Sequence, residues 1–155
     1  MTPTVATPFT VDYGHVEYVS VHFDDFDPMG VVHNSRYALL LERALSAFWS
    51  ARGHVFVNGR PSTSDAFNVV KEYRITYHTP IRTVGEVAVH LWTERVGETS
   101  GVYGFRILSA DGRTEPAEGA RVVVKLDPAT MRPAAWTPES RAAAEGLARV
   151  SPDGR

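Results

Sequence analysis

The sequence predicts an α+β protein in which an antiparallel sheet wraps around one long central helix. Two observations carry that expectation. One long run of residues has helical apolar periodicity, and it is followed by four β-patterned segments joined by turns too short for parallel crossovers. With 155 residues, one domain is expected (1–155, core about 15–128), and folding at that length buries roughly 70% of the unfolded chain's surface.

Residues 15–24, HVEYVSVHFD, are β-branched and aromatic, with Val19, Val21 and Phe23 on one side, and suit a first strand. A polar loop follows, FDDFDPMGVVHNSRY at 23–37. From Tyr37 the apolar residues Leu40, Leu41, Ala44, Leu45, Phe48 and Trp49 fall at helical spacing. The apolar arc is about twice the ~100° stripe of a surface helix, so the helix calls for wrapping. Asn34 or Ser35 is positioned to cap its start, Gly53 to end it, and Arg52 to complement its dipole.

Residues 69–79 alternate Val69, Tyr73, Ile75 and Tyr77 with polar side chains, and Pro80 marks an end or bend. Segments 86–96, 101–109 and 118–126 read as further strands, with Asp111-Gly112 a hairpin signal between the last two. Thr137-Pro138 offers a cap and first position for a short helix through about Val150. The first dozen residues and the final SPDGR read as loose ends.

Composition narrows the function. Sixteen Lys and Arg against eighteen Asp and Glu give a net charge of −2 without a long run of either sign, which gives no footprint for nucleic acid. The absence of cysteine excludes a disulfide scaffold, a thiolate zinc site and a cysteine nucleophile. The opening MTPTVATPFTVDYG lacks the basic start and apolar stretch of a signal peptide, and no segment approaches the ~20 apolar residues of a membrane span. A soluble, cytoplasmic protein with no membrane partner is therefore expected.

The 23–37 loop concentrates the chemistry. As a calcium loop starting at Asp25 it fails where Met29 and Arg36 replace ligands. An aspartyl phosphatase needs the helices of a parallel doubly wound sheet, which the downstream strands lack. The six histidines show no zincin spacing, so no metal is expected. No serine stands in a G-x-S-x-G elbow, and GETSG at 97–101 lies in a hairpin turn.

What remains is Asp27, a few residues ahead of a helix N-terminus whose free N–H groups can stabilise an oxyanion. Pro28 stiffens the turn, and Gly30 lets the backbone approach a ligand. Thioesters suit so spare a site. A thiol has a pKa of about 8.5, so a thiolate leaves with little help from an acid, and one carboxylate acting as base or nucleophile suffices. The plain alternative is that Asp24, Asp25 and Asp27 only cap turns.

Asp25-Phe26-Asp27-Pro28-Met29-Gly30-Val31-Val32-His33-Asn34-Ser35-Arg36-Tyr37, continuing into LLLERA, resembles the D-x-D-x-x-G-x-V-x-(N/H)-x-x-Y…E-x-A pattern of hotdog-fold acyl-CoA thioesterases of the 4-hydroxybenzoyl-CoA thioesterase type. The likeness runs from about Val16 to Leu126 and departs at His33, where many relatives carry another residue. It implies a hotdog fold and hydrolysis of an acyl-CoA or acyl-carrier-protein thioester. Asp27 would be the catalytic carboxylate, and the helix start at His33 and Asn34 the oxyanion site. Gly30 and Tyr37 would border the substrate, and Asp25 would hold the loop.

Glu42 matches the Glu of the same pattern and reads as structural, although other hotdog enzymes place a catalytic carboxylate on this helix. The spacing from Asp27 to His33 does not reproduce a hydratase pattern. The resemblance implies no cofactor. It does imply a homodimer or homotetramer, and an exposed sheet edge gives an independent reason for pairing. Arg60, Arg74 and Arg82 are candidate phosphate contacts, and Tyr73, Tyr77, Trp92 and Tyr103 candidate acyl-pocket aromatics. The competing reading is a hotdog module that binds an acyl thioester without turnover.

Overall fold

The computed structural model describes residues 8–149. In chain order its elements are β1 (His15–Val21), α1 (Tyr37–Ser50), β2 (Phe56–Val57), β3 (Arg60–Pro61), β4 (Asn68–Tyr77), β5 (Gly85–Val96), β6 (Ser100–Ser109), β7 (Ala117–Lys125) and α2 (Pro138–Glu145). Five strands form one antiparallel sheet in the order β1-β5-β6-β7-β4. The fold is therefore α+β, with an antiparallel sheet and the long helix packed on it.

α1 buries Tyr37, Leu40, Leu41, Ala44, Leu45 and Phe48 among Val19, Val21, Val89, Leu91, Phe105 and Ile107 of the sheet. The broad apolar arc is thus satisfied on most of its width. Trp49, at the edge of the arc, stays half-buried, and Glu42 and Ser46 beyond it are exposed.

Four local expectations are corrected. β1 ends at Val21 because the Asp25 carboxylate takes the His22 N–H at 2.7 Å and turns the chain into a single 3-10 turn at Phe23–Asp25. Phe23, expected beside Val19 and Val21, is consequently 87% exposed. Of the strands after the helix, β5, β6 and β7 pair in sequence, but β4 does not pair with β5: it lies at the far edge against β7. The helix from Thr137 stops at Glu145, where Gly146 follows, and Val150 lies outside the described residues.

The fourth concerns Trp92, a candidate acyl-pocket aromatic, which lies away from α1 and lines neither concavity of the described residues. It lies on the opposite face of the sheet with Ala88 and His90, beneath Tyr13 of the N-terminal segment, the two rings meeting edge to face at 5.5 Å. Its indole rests on Gly104, where an added Cβ would stand 2.3 Å from the ring. Strand β5 is therefore buried on both faces from Val87 to Thr93.

The small hairpin β2–β3 was not anticipated, although its Asn58-Gly59 pair carries the signal. Both residues sit at positive φ, 51° and 74°, as a two-residue hairpin turn requires. Of the terminal segments read as loose ends, only residues 8–12 lie within the described residues.

Candidate active site

Between β1 and α1 the loop is held by its own polar groups. Asp25, only 2% exposed, accepts from the His22 N–H, and its backbone carbonyl accepts from the His33 N–H at 2.8 Å. Arg36 approaches its carboxylate at 3.8 Å. Asp25 therefore fastens the two ends of the loop together. The Val32 N–H donates to the Ile81 carbonyl at 2.9 Å, which ties the loop to the segment between β4 and β5.

Asp27 stands at the turn inside that frame. Its Oδ1 accepts from the Met29 N–H at 2.8 Å and the Val31 N–H at 3.4 Å, and the Gly30 N–H donates to its carbonyl at 3.0 Å. Gly30 lies at φ 76°, the left-handed region in which glycine is least strained, and a Cβ there would meet nothing within 4 Å. The glycine is needed for conformation, and the space above it is open. Asp27 Oδ2 has no hydrogen-bond partner among the described residues.

The helix start differs from expectation in a way that matters chemically. The cap is His33, not Asn34 or Ser35: its Nδ1 accepts from the Ser35 N–H at 3.1 Å and meets the Ser35 hydroxyl at 2.8 Å. Accepting at Nδ1 places the proton of the neutral ring on Nε2. Residues Asn34–Arg36 form a 3-10 turn that leads into α1. With the His33 N–H committed to Asp25, the Asn34 N–H beside it has no partner among the described residues.

Asp27, His33, Asn34 and Tyr37 line one open groove together with Val31, Val32 and four residues from the end of β4 onward, Tyr77, His78, Thr79 and Pro80. Tyr77 was a candidate acyl-pocket aromatic; sequence reasoning missed the other three as site residues. Pro80 was visible only as a bend, and nothing local indicated that the bend returns to the loop. Tyr77 donates its hydroxyl to the Asn34 carbonyl at 3.0 Å, and its ring meets Tyr37 edge to face at 4.9 Å. Burial pushes the Tyr37 and Tyr77 hydroxyls up from their ordinary range, so both remain protonated donors at neutral pH. Gly30 lies in the turn beside Asp27 but not in the groove wall.

A second concavity lies at the other end of α1. It is a cavity of about 480 Å³ between the C-terminal half of the helix, strands β5, β6 and β7, and α2. Tyr103 borders it, accepting from Trp49 Nε1 at 2.9 Å, and burial pushes its hydroxyl up to about 12. Glu42 is paired with Arg121 at its edge, which is a structural engagement for this carboxylate. Tyr73 stacks on Phe105 at 5.9 Å and borders neither concavity. Arg74 is paired with Glu72 at 2.7 Å, and Arg60, Arg74 and Arg82 lie outside both. No group of three or more metal-ligating side chains occurs among the described residues.

An antiparallel sheet wrapped on one long helix, with a carboxylate loop at the helix start, is the architecture of the hotdog fold. The sequence model of the thioesterase superfamily matches residues 29–116, more than half of the chain, and the chain belongs to that family. Among curated proteins it is 29% identical over 117 residues to the acyl-CoA thioester hydrolase YbgC of Escherichia coli, covering 76% of this chain and 85% of that one. Among solved structures it resembles the PA5185 protein of Pseudomonas aeruginosa, with TM-score 0.76 and 24% identity over 90% of this chain and 94% of that one. It also resembles a thioesterase from Thermus thermophilus in complex with coenzyme A and zinc, with TM-score 0.67 and 26% identity over 85% and 92% of the two chains.

Proposed function

We propose that the protein hydrolyses an acyl-CoA or acyl-carrier-protein thioester, with Asp27 as general base or nucleophile and the Asn34 N–H as oxyanion donor. The observation that carries this reading is one groove holding a carboxylate with an unpartnered oxygen and a helix-start N–H with no acceptor. The Met29 N–H fixes the carboxylate through Oδ1, and Oδ2 stays free for the reaction. The YbgC hydrolase and the coenzyme A complex of the Thermus relative support the substrate class.

As a base, Asp27 takes a proton from water while the water oxygen bonds to the carbonyl carbon. Negative charge gathers on the carbonyl oxygen, where the Asn34 N–H and the positive helix end stabilise it. Collapse breaks the C–S bond, and the leaving thiolate takes up the proton. As a nucleophile, Asp27 Oδ2 attacks first, the thiolate leaves, and water opens the resulting anhydride.

His33 keeps a place in the groove through its ring, while its N–H is excluded as an oxyanion donor by the Asp25 bond. The working unit is a homodimer joined through β4. That strand ends the sheet and leaves one row of backbone groups unpaired, with Val69, Val70 and Tyr77 more than 40% exposed.

Thiol release from a panel of acyl-CoAs, for the natural protein and Asp27→Asn, tests the assignment. Asparagine can still accept from Met29 but is neither base nor nucleophile, so a rate loss of roughly 10²-fold or more is expected. A natural protein that binds acyl-CoAs yet releases thiol only at background would indicate a binding module instead. A fully active Asp27→Asn would remove Asp27 from the mechanism.

A further inference from the structure

His33 brings an exposed imidazole to the Asp27 groove, and the bonds around the residue decide what that ring presents. Both of its backbone groups are spent. The N–H donates to the Asp25 carbonyl at 2.8 Å, and the carbonyl accepts from the Arg36 N–H at 2.9 Å. On the ring, Nδ1 is turned back to the helix start, where the Ser35 N–H reaches it at 3.1 Å and the Ser35 hydroxyl meets it at 2.8 Å. A backbone N–H only donates, so Nδ1 is the acceptor and the neutral ring carries its proton on Nε2. Nε2, on the far side of the ring, has no partner among the described residues.

The other aromatic rings of the groove are differently engaged. Tyr37 is buried, Tyr77 gives its hydroxyl to the Asn34 carbonyl at 3.0 Å, and His78 faces the Glu118 carboxylate at 3.6 Å. The His33 ring and the Asn34 N–H are neighbours in the chain, because that N–H belongs to the peptide leaving His33. One short stretch of backbone therefore bears two donors, one of the main chain and one of a side chain. A carbonyl oxygen has two lone pairs, and the charge it gathers when water or Asp27 adds is held best when both are met. With the His33 N–H given to Asp25, Asn34 supplies one donor and the ring supplies the other. A neutral imidazole polarises a carbonyl through its N–H without surrendering the proton.

We infer that His33 acts in the thioester site through its side chain: the Nε2–H donates a second hydrogen bond to the thioester carbonyl oxygen, in a tautomer that the Ser35 N–H fixes. No proton is transferred in this role, so the base or nucleophile chemistry stays with Asp27. This rests on the thioesterase reading and adds to it a catalytic side chain that works beside the helix-start N–H.

Two substitutions separate the donor from the cap. In His33→Asn the short amide keeps an acceptor for the Ser35 N–H but has no donor at the reach of Nε2. In His33→Gln the longer amide restores a donor at that reach and gives up the cap. The substrate is octanoyl-CoA, or the acyl-CoA of the panel that the natural protein hydrolyses fastest if that is another. His33→Asn should lower kcat about tenfold or more with KM changed less than about twofold, while His33→Gln should keep at least about a third of the natural kcat. An active His33→Asn beside an impaired His33→Gln is the mark of a structural cap and overturns the inference. His33→Ser, a shorter cap, replaces His33→Asn if circular dichroism shows that the latter does not fold.

A second measurement needs no turnover. The same acyl-CoA, isotope-labelled at the carbonyl carbon, is bound to Asp27→Asn and to the double variant Asp27→Asn/His33→Asn, and the infrared stretch of the thioester carbonyl is read in each. The stretch should lie at lower frequency when His33 is present, because its N–H draws density onto the oxygen. Equal frequencies in the two proteins overturn the role of His33 and leave the natural hydrolysis untouched. A natural protein that releases thiol from no acyl-CoA of the panel removes the thioesterase reading first, and the inference with it.

Discussion

Asp27 and Asp65 both belong to loops, and their surroundings assign them opposite work. One oxygen of Asp27 is held by the Met29 N–H and the other is free in an open groove. Asp65, 5% exposed, has both oxygens engaged by Lys125, Thr137 and Ser140. Burial alone would raise the Asp65 pKa, but the Lys125 ammonium and the two hydroxyls outweigh it and hold the group well below the usual carboxylate range. A folded pKa below the unfolded one adds stability that is complete above the unfolded value of about 3.9 and is lost as pH falls through the folded one. Asp65→Asn leaves Lys125 buried without its partner, so a loss of about 3–5 kcal/mol in urea-melt stability at neutral pH is expected. A loss under 1 kcal/mol would show that the pair contributes little.

At the scale of elements, the outer face of the sheet depends on the short segment before β1. His90, fully buried, meets the Tyr13 carbonyl through Nε2 at 2.8 Å and accepts from Arg106 Nε through Nδ1 at 3.0 Å. Burial lowers its pKa first, the Tyr13 bond opposes that, and Arg106, Arg149 and His15 lower it further. Protonation would oblige Nδ1 to face Arg106 as a donor.

Since the folded pKa is depressed, this contribution is present above the unfolded value of about 6.5 and is lost as pH falls below it. Amide exchange of residues 13–15 should therefore quicken from pH 7 to pH 5, after correction for the intrinsic rate, and His90→Gln should abolish the dependence. Equal corrected protection at both pH values would sink this account. Glu17 pairs with His15 at 2.9 Å and Glu94 accepts from Trp92 at 2.6 Å, and the double variant Glu17→Gln/Glu94→Gln should leave the dependence in place.

For the whole molecule, the exposed edge of β4 makes self-association the governing expectation. Val69→Glu with Val70→Glu places like charges on both sides of the joint, so dimerisation measured by sedimentation should weaken at least tenfold, about 1.4 kcal/mol. Thioester hydrolysis at low protein concentration should fall in parallel. An unaltered dimer would place the interface elsewhere.

Periodicity sufficed for α1, because its apolar residues recur over 14 residues, and for the strands, whose alternation is local. The order of those strands depends on which edge β4 chooses, and no local signal records a partner as distant as β7. The Asp27 loop was legible as a motif, since its carboxylates, proline and glycine act through neighbours a few residues away. The place of Trp92 on the outer face was not legible, because alternation tells which side chains share a face, yet not which face the helix covers.

FDDFDPMGVVHNSRY carries the loop chemistry in its own spacing: a carboxylate near a helix start, a residue fit for positive φ, and a second aspartate to close the loop. These features are short-range, so the order of residues decides them. Folding in three dimensions decided which N–H was left over. The Asp25 carbonyl takes that of His33, His33 caps Ser35, and the N–H of Asn34 remains without a partner among the described residues. It also brought Tyr77 and His78 to the groove from about forty residues away and closed a cavity with α2 from the far end of the chain. Those arrangements join residues distant in sequence, which no local pattern encodes.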